Sequence, residues 1–224
     1  MGILIDRSTP AIASRKDERM GSATSDRVIS LPEIKTDGRI CLEKALHHRR
    51  SVRRYHDTAL NLSEISQLLW AAQGITDPRG LRTTPSAGAL YPLEIYLVAG
   101  KVDELQTGIY KYLTRSHELL MTAAVNSRSA LMRAGLGQRS LKSAPAVLIL
   151  CAVYERVTIK YGERGIRYIH MEAGHAAQNI CLQAVALDLS TVVIGAFHDS
   201  EVKKVVGTAE EEHPLYLIPV GRPR

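Results

Sequence analysis

Pro145 opens an eight-residue apolar run, Ala146-Val147-Leu148-Ile149-Leu150-Cys151-Ala152-Val153, with no charged or amide side chain in it. A strand with one wet face alternates apolar and polar residues, so a continuous run predicts a strand buried on both faces. Such a strand requires a packed layer above it and another below. The longest helical candidate, Tyr168 to Leu189, is apolar on several sides and predicts a central helix able to form one of those layers.

The remaining punctuation fills in the architecture. Leu42, Ala45 and Leu46 have helical spacing. Ser63 is a candidate N-cap for a helix carrying Ile65, Leu68, Leu69 and Ala72, with Gly74 as its stop. Leu93 to Val98 predicts a strand, Gly108 to Leu113 a second and more exposed one, and Ala130 to Leu136 a weak helix. Thr191 to Ile194 predicts another buried strand, and Asp199 the cap of a short helix closed by Gly207. Leu215 to Val220 ends the series as a strand whose Pro219 points to an edge or a bulge. Helices and strands interleave without a strict βαβ rhythm, which predicts an α+β fold with a mixed sheet flanked by helices. Residues 1–38, rich in Ser, Thr, Arg and Asp with no sustained period, predict an extended or partly disordered arm before a single domain over 39–224.

Composition narrows the function. Lys plus Arg number 29 against 23 Asp plus Glu, a formal net charge of +6. The densest basic run is His47-His48-Arg49-Arg50-Ser51-Val52-Arg53-Arg54, and elsewhere the signs mix. Only 5% of residues are aromatic, which supplies few platforms for stacked bases, so a compact anion pocket fits better than nucleic acid. No apolar run approaches the ~20 residues that span a bilayer, and Asp6 interrupts any secretory apolar core. Cys41, Cys151 and Cys181 form no CxxC pair, which argues against a zinc site or a disulfide framework and for a reducing cytoplasm.

Four groups of residues could carry chemistry. Arg49, Arg50, Ser51 and Arg53 cluster donors whose geometry suits phosphate oxygens. Thr84-Pro85-Ser86-Ala87-Gly88 is a stiff, small-residue loop that a planar ligand can approach closely. Lys160-Tyr161 can move protons if its surroundings bring either pKa toward neutrality. Gly195, after a buried strand, offers a backbone N–H, and Arg222 near the end of the chain offers one more cation. His170 and His175, five residues apart, miss the i, i+4 spacing of a helical metal site and predict hydrogen-bonded histidines in the interior or at an interface. No GxGxxG, Walker loop or GxSxG elbow is present, so phosphate recognition falls to side chains. Each group alone is an ordinary surface feature.

Together and in order, RRSVRRY, PSAGALYPLEIYLV, KYGERGIRYIHMEAGHAAQNICLQAVAL, VVIGAF and PLYLIPVGRP resemble the nitroreductase superfamily, and within it the SagB-type, thiazoline/oxazoline oxidase-like branch. The resemblance covers roughly residues 40–223. It implies flavin mononucleotide (FMN) held without covalent attachment, and an intertwined homodimer with sites built from both subunits. It assigns Arg49, Arg50, Ser51 and Arg53 to the flavin phosphate and pyrimidine side, joined by Arg222. It assigns Pro85, Ser86, Ala87 and Gly88 to the isoalloxazine, from the partner chain, and the Gly195 N–H to the flavin N5. Lys160-Tyr161 matches the catalytic pair of azoline oxidases, which ordinary nitroreductases lack. The implied substrate is a small or peptide-borne azoline-like heterocycle. The alternatives are reduction of nitroaromatics or quinones with NAD(P)H, and a non-catalytic flavin-binding subunit of a larger complex.

Overall fold

The computed structural model describes residues 27–224. Seven strands form one sheet: β1 (Val28–Ser30), β2 (Leu93–Ala99), β3 (Gly108–Leu113), β4 (Glu118–Ala123), β5 (Ala146–Val153), β6 (Ser190–Thr191) and β7 (Glu212–Gly221), in the spatial order β1-β4-β3-β2-β5-β7-β6. The helices among the described residues are α1 (Leu42–His48), α2 (Leu62–Gln73), α3 (Arg128–Ala134), α4 (Ser140–Ser143), α5 (Glu155–Tyr161), α6 (Arg164–Ala186) and α7 (Asp199–Val206). Every pair of named strands is antiparallel. Parallel pairing is confined to the isolated bridges Ser51–Thr191 and Leu60–Val102, so the mixed sheet expected from the sequence reduces to those two contacts.

The apolar run is β5, near the middle of the sheet, and its alternate residues feed two different cores. Ala146, Leu148, Leu150 and Ala152 pack with Ile65, Leu68 and Leu69 of α2 and with Ile169, Ala176 and Ile180 of α6. Val147, Ile149 and Cys151 face the opposite side, among Leu131 of α3, Leu141 of α4 and Val202 of α7. Burying each Leu or Ile of this strand contributes roughly 1.5–3 kcal/mol.

Local physics sets several boundaries away from the expected ones. Asn61, not Ser63, caps α2: its side chain accepts from Glu64 N at 2.8 Å, and Glu64 Oε2 accepts from Asn61 N at 2.9 Å, a reciprocal capping box. Gly74 ends that helix in an extended conformation, and only glycine fits there, since a Cβ would lie 2.1 Å from Trp70 Cδ1. His198 takes the N-cap position of α7, with Asp199 in its first turn and Gly207 left-handed after it. The strand β3 is largely buried rather than exposed, because β4 covers its outer edge. The strand expected over Thr191–Ile194 shortens to β6, where Val52 N–H takes the Thr191 carbonyl at 2.9 Å; Ile194 pairs separately with Leu217. Leu217 exchanges both backbone hydrogen bonds with Ile194, so Pro219, two residues on, turns its missing N–H to the β6 side, past the short ladder.

The described part of the N-terminal segment is extended and docked. β1 pairs with β4, Leu31 is buried, and Lys35 exchanges two 2.9 Å bonds with the Gln67 side chain. The Ser66 hydroxyl donates to Pro32 O at 2.6 Å and meets His117 Nε2 at 2.7 Å, while the Tyr112 hydroxyl meets His117 Nδ1 at 2.8 Å. Residues 1–26, the rest of the predicted arm, lie outside the described residues.

Candidate active site

The basic segment leaves α1 at Arg49 and runs extended along the sheet edge. Ser51 bridges Thr191, Tyr55 bridges Pro223, and His56 N donates to Arg222 O at 3.0 Å. Three groups separated in sequence, 49–56, 190–195 and 221–224, are thereby brought together by main-chain bonds. The side chains differ in what they are free to do. Arg50 Nη1 folds back onto the carbonyls of His47 and Arg49, at 2.9 and 2.7 Å, closing the end of α1. Arg222 Nη2 is paired with Glu64 Oε1 at 2.8 Å. Arg49 is half-buried and faces α6 at Cys181, whose thiol burial pushes up while the Thr191 hydrogen bond and the Arg49 charge oppose that shift. Among the described residues Arg49, Arg50 and Arg53 form no ion pair. Gly195 is exposed directly after Ile194, and a Cβ there would meet only the Tyr216 ring, at 3.6 Å. This set of cations, hydroxyl and exposed backbone fits a phosphate-bearing planar cofactor.

The second group forms around the loop after α2. Within Ala87–Ala89, a short 3₁₀ turn, Gly88 is left-handed at φ 63°, and Ala89 and Tyr91 are also left-handed, at 54° and 47°. Non-glycine residues in that region carry strain of about 1–3 kcal/mol each. The loop is held by the Ser86 hydroxyl, which accepts from Tyr91 N at 2.9 Å, and by Thr84 Oγ1, which donates to Ala72 O at 2.7 Å. A Cβ built on Gly88 would stand 2.8 Å from Tyr161 Oη and 3.0 Å from Lys160 Nζ. Loop and pair, 72 residues apart in sequence, therefore meet within one chain.

The helix that carries Lys160 and Tyr161, α5, leaves no clear periodicity in the sequence. Gly162, left-handed at φ 56°, ends α5, and Gly165 packs so close to Thr158 that a Cβ would lie 3.2 Å from its backbone. Arg156 of α5 reaches the sheet, bonding Glu94 Oε1 at 2.5 Å and Tyr91 O at 3.1 Å. Glu94 in turn lies 3.3 Å from Lys111 Nζ, which also pairs with the buried Glu212, itself the acceptor for the Tyr96 hydroxyl at 2.5 Å. The expected proton-moving pair is thus fastened to β2, β3 and β7 through charges.

Beneath the loop lies a cluster that sequence reasoning missed. Arg82 Nη1 donates to Gln73 Oε1 at 2.9 Å, and its guanidinium covers the Tyr91 ring at 4.4 Å. Glu172 of α6, 2% exposed, faces the same group; burial pushes its carboxyl up to about 7, against the pull of Ser86, Gln73 and the Arg82 charge. The available signal was helical: Glu172 shares its stripe with Ile169, Ala173 and Ala176, the only charge on an otherwise apolar face. His170 and His175 are exposed rather than interior, because they lie off the apolar stripe of α6, and His170 Nε2 meets the Tyr154 hydroxyl at 2.9 Å. Among the described residues no group of three or more His, Cys, Asp and Glu is placed to hold a metal, and no helix is long and apolar enough to cross a membrane.

The two groups sit on different stretches of α6. Glu172 marks the loop group and Cys181 the basic group; nine residues at the helical rise put them roughly 14 Å apart.

The model of the Nitroreductase family matches residues 46–222. The chain belongs to the nitroreductase family. It is 47% identical over 194 residues to a Methanocaldococcus jannaschii protein with a provisional nitroreductase name, covering 87% of this chain and 96% of that one. It is 33% identical over 153 residues to the Microcin B17-processing protein McbC of Escherichia coli, covering 66% of this chain and 56% of McbC. Among solved structures, a provisionally named nitroreductase from Ralstonia eutropha superposes with a TM-score of 0.77 at 28% identity, over 90% and 91% of the two chains. The E. coli microcin synthetase McbBCD complex, with a truncated pro-microcin bound, matches with a TM-score of 0.68 at 26% identity, over 97% and 85%. These matches agree on the nitroreductase-family fold.

Proposed function

We propose that this oxidoreductase is an FMN enzyme of the SagB type, which oxidises an azoline-like heterocycle, small or peptide-borne. The observation that carries the reading is the convergence of Lys160 Nζ and Tyr161 Oη on Gly88 in the small-residue loop. Arg49, Ser51 and Arg53 would hold the cofactor phosphate and the pyrimidine side, with Arg50 and Arg222 joining once released from their present partners. Pro85, Ser86, Ala87 and Gly88 would line the ring system, and the Gly195 N–H would hydrogen-bond it. When bound, FMN supplies a two-electron hydride acceptor. Lys160 and Tyr161 remove the proton from the ring carbon next to the one that loses hydride.

The distance along α6 between the two groups supports an intertwined homodimer in which the loop of one protomer serves the basic segment of the other. Leu42 and Leu46 of α1, 60% and 51% exposed beside a groove lined by Trp70 and Leu182, give that second copy an apolar surface to cover. The unpaired Cys41, Cys151 and Cys181 suit the reducing cytoplasm we assign it to.

The visible spectrum of the purified protein tests the cofactor: flavin bands released on denaturation are expected, and a preparation left colourless after incubation with FMN refutes it. Lys160→Ala and Tyr161→Phe are expected to keep FMN and lose azoline oxidation. The M. jannaschii relative favours one second reading, reduction of nitroaromatics or quinones by NAD(P)H. Rapid flavin reduction by NAD(P)H in stopped flow, followed by nitro- or quinone-dependent reoxidation, would establish it over the first. The match to McbBCD raises a third role, as a subunit of a larger complex; stable co-purification with a partner and no turnover alone would mark it.

A further inference from the structure

Tyr91 closes the loop that begins at Pro85, and each of its polar and aromatic groups is engaged. Its N–H donates to Ser86 Oγ at 2.9 Å, and its hydroxyl oxygen accepts from Arg82 N at 3.3 Å. Its ring carries the Arg82 guanidinium 4.4 Å above the centroid, and its carbonyl accepts from Arg156 Nη1 at 3.1 Å. The backbone of Tyr91 is left-handed at φ 47°, a conformation that persists only where the surroundings over-determine it. Ser86 and Arg82 are near neighbours in sequence. Arg156 arrives from α5, 65 residues on.

We propose that Arg156 is the positioning residue of this site: its guanidinium spans the loop and the sheet, and so sets where Lys160 and Tyr161 stand against Gly88. The proposal rests on the oxidative reading above, in which that pair takes the substrate proton. Arg156 Nη1 holds Tyr91 O, and Nη2 holds Glu94 Oε1 of β2 at 2.5 Å. Among the described residues these are the only side-chain hydrogen bonds that leave α5 and its cap. Glu94 is itself steadied by Lys111 Nζ at 3.3 Å. Arg156 and Lys160 are four residues apart, so the anchor and the ammonium share one face of α5. Loop and helix are therefore joined at two points, Tyr91 to Arg156 and Gly88 to the pair.

The helix needs such an anchor. It has seven residues, too few to be stable alone, and Val157 is the only one of them fully buried. A helix seated on so little apolar surface can roll, and a guanidinium fixed at both a strand and a loop carbonyl removes that freedom. Arginine offers two donor arms in one rigid plane, whereas lysine offers a single point charge. The Arg156 side chain is 41% exposed, so its ion pair adds little stability and its contribution is geometric. Geometry matters here because a misplacement of about 1 Å at the reacting groups can cost about a hundred-fold in rate.

The test uses the full chain labelled with fluorotyrosine, the Tyr161 fluorine resonance being assigned with Tyr161→Phe. The Tyr168 ring, edge-on to Tyr161 with centroids 5.3 Å apart, makes that resonance sensitive to small displacements. In the cofactor-free protein, Arg156→Met is expected to move the Tyr161 resonance and leave that of the fully buried Tyr110 in place. A Tyr161 resonance that stays put overturns the proposal. Should the Tyr110 resonance move too, the fold itself has suffered, and Arg156→Lys, which keeps the charge and loses the fork, is judged by the same criterion. In the FMN-loaded protein, the Met variant is expected to retain flavin and to oxidise an azoline substrate with kcat about ten-fold lower and KM little changed. The Lys variant should recover only part of that loss, and full recovery overturns the role of the fork. A wild type that oxidises no azoline, while its Tyr161 resonance still depends on Arg156, refutes the oxidative reading and leaves the anchor standing.

Discussion

Gly88 sits directly under the tip of Tyr161: a Cβ built on the glycine would stand 2.8 Å from the phenolic oxygen, inside the separation that carbon and oxygen tolerate. The glycine is also left-handed, at φ 63°. Gly88→Ala is therefore expected to cost about 1–2 kcal/mol from backbone strain alone and to push Tyr161 and Lys160 off the loop. Thermal unfolding and azoline oxidation should both fall, with flavin content kept. An alanine variant with unaltered turnover would show that the contact has no role in the reaction.

Arg49 of the basic segment is free for an anion, whereas Arg50 closes its own helix and Arg222 is held by Glu64. Arg49→Ala should weaken FMN binding by about 1.5–3 kcal/mol, the range of a charge-assisted hydrogen bond. Arg50→Ala should affect binding less and loosen the end of α1 more. Flavin fluorescence titration of both variants separates the two roles, and equal losses would contradict this ordering.

His117 ties the N-terminal segment to α2 and β3 through Ser66 and Tyr112. Burial lowers its pKa below the usual histidine value, with the Pro32 backbone opposing. The neutral ring is thus the form the fold prefers, and below about pH 6.5 the unfolded chain binds the proton more readily. Stability held by this contact is complete above that pH and is lost as pH falls toward the folded-state value. Urea denaturation midpoints measured from pH 7.5 down to 5 should show a slope that His117→Gln reduces; an identical slope in the variant would remove His117 as its source.

Lys111 stands between Glu94 and the nearly inaccessible Glu212. Lys111→Met leaves two carboxylates facing each other with one partner gone, at an expected cost of about 3–5 kcal/mol. Because Arg156 of α5 shares Glu94, the same change should disturb Lys160 and Tyr161. Replacement by arginine should recover most of the stability. Chemical denaturation of both variants checks the pair, and a Met variant as stable as the wild type would show that Tyr96 and water suffice for Glu212.

Periodicity and punctuation alone determined the central strand β5, the long helix α6, and the α+β layering that follows from burying them. They did so because burial on both faces leaves a local signature in side-chain polarity. The five motifs in order determined the family and named the residues proposed for each half of the candidate site. The tertiary structure alone decided what meets what: that Gly88 lies under Lys160 and Tyr161, that Arg222 turns to Glu64, and that Glu172, Arg82 and Gln73 share one buried cluster. Those contacts join residues dozens of positions apart, and their energy comes from desolvation and charge pairing between elements. A linear pattern records which face of a helix is apolar; it does not record which distant side chain arrives there.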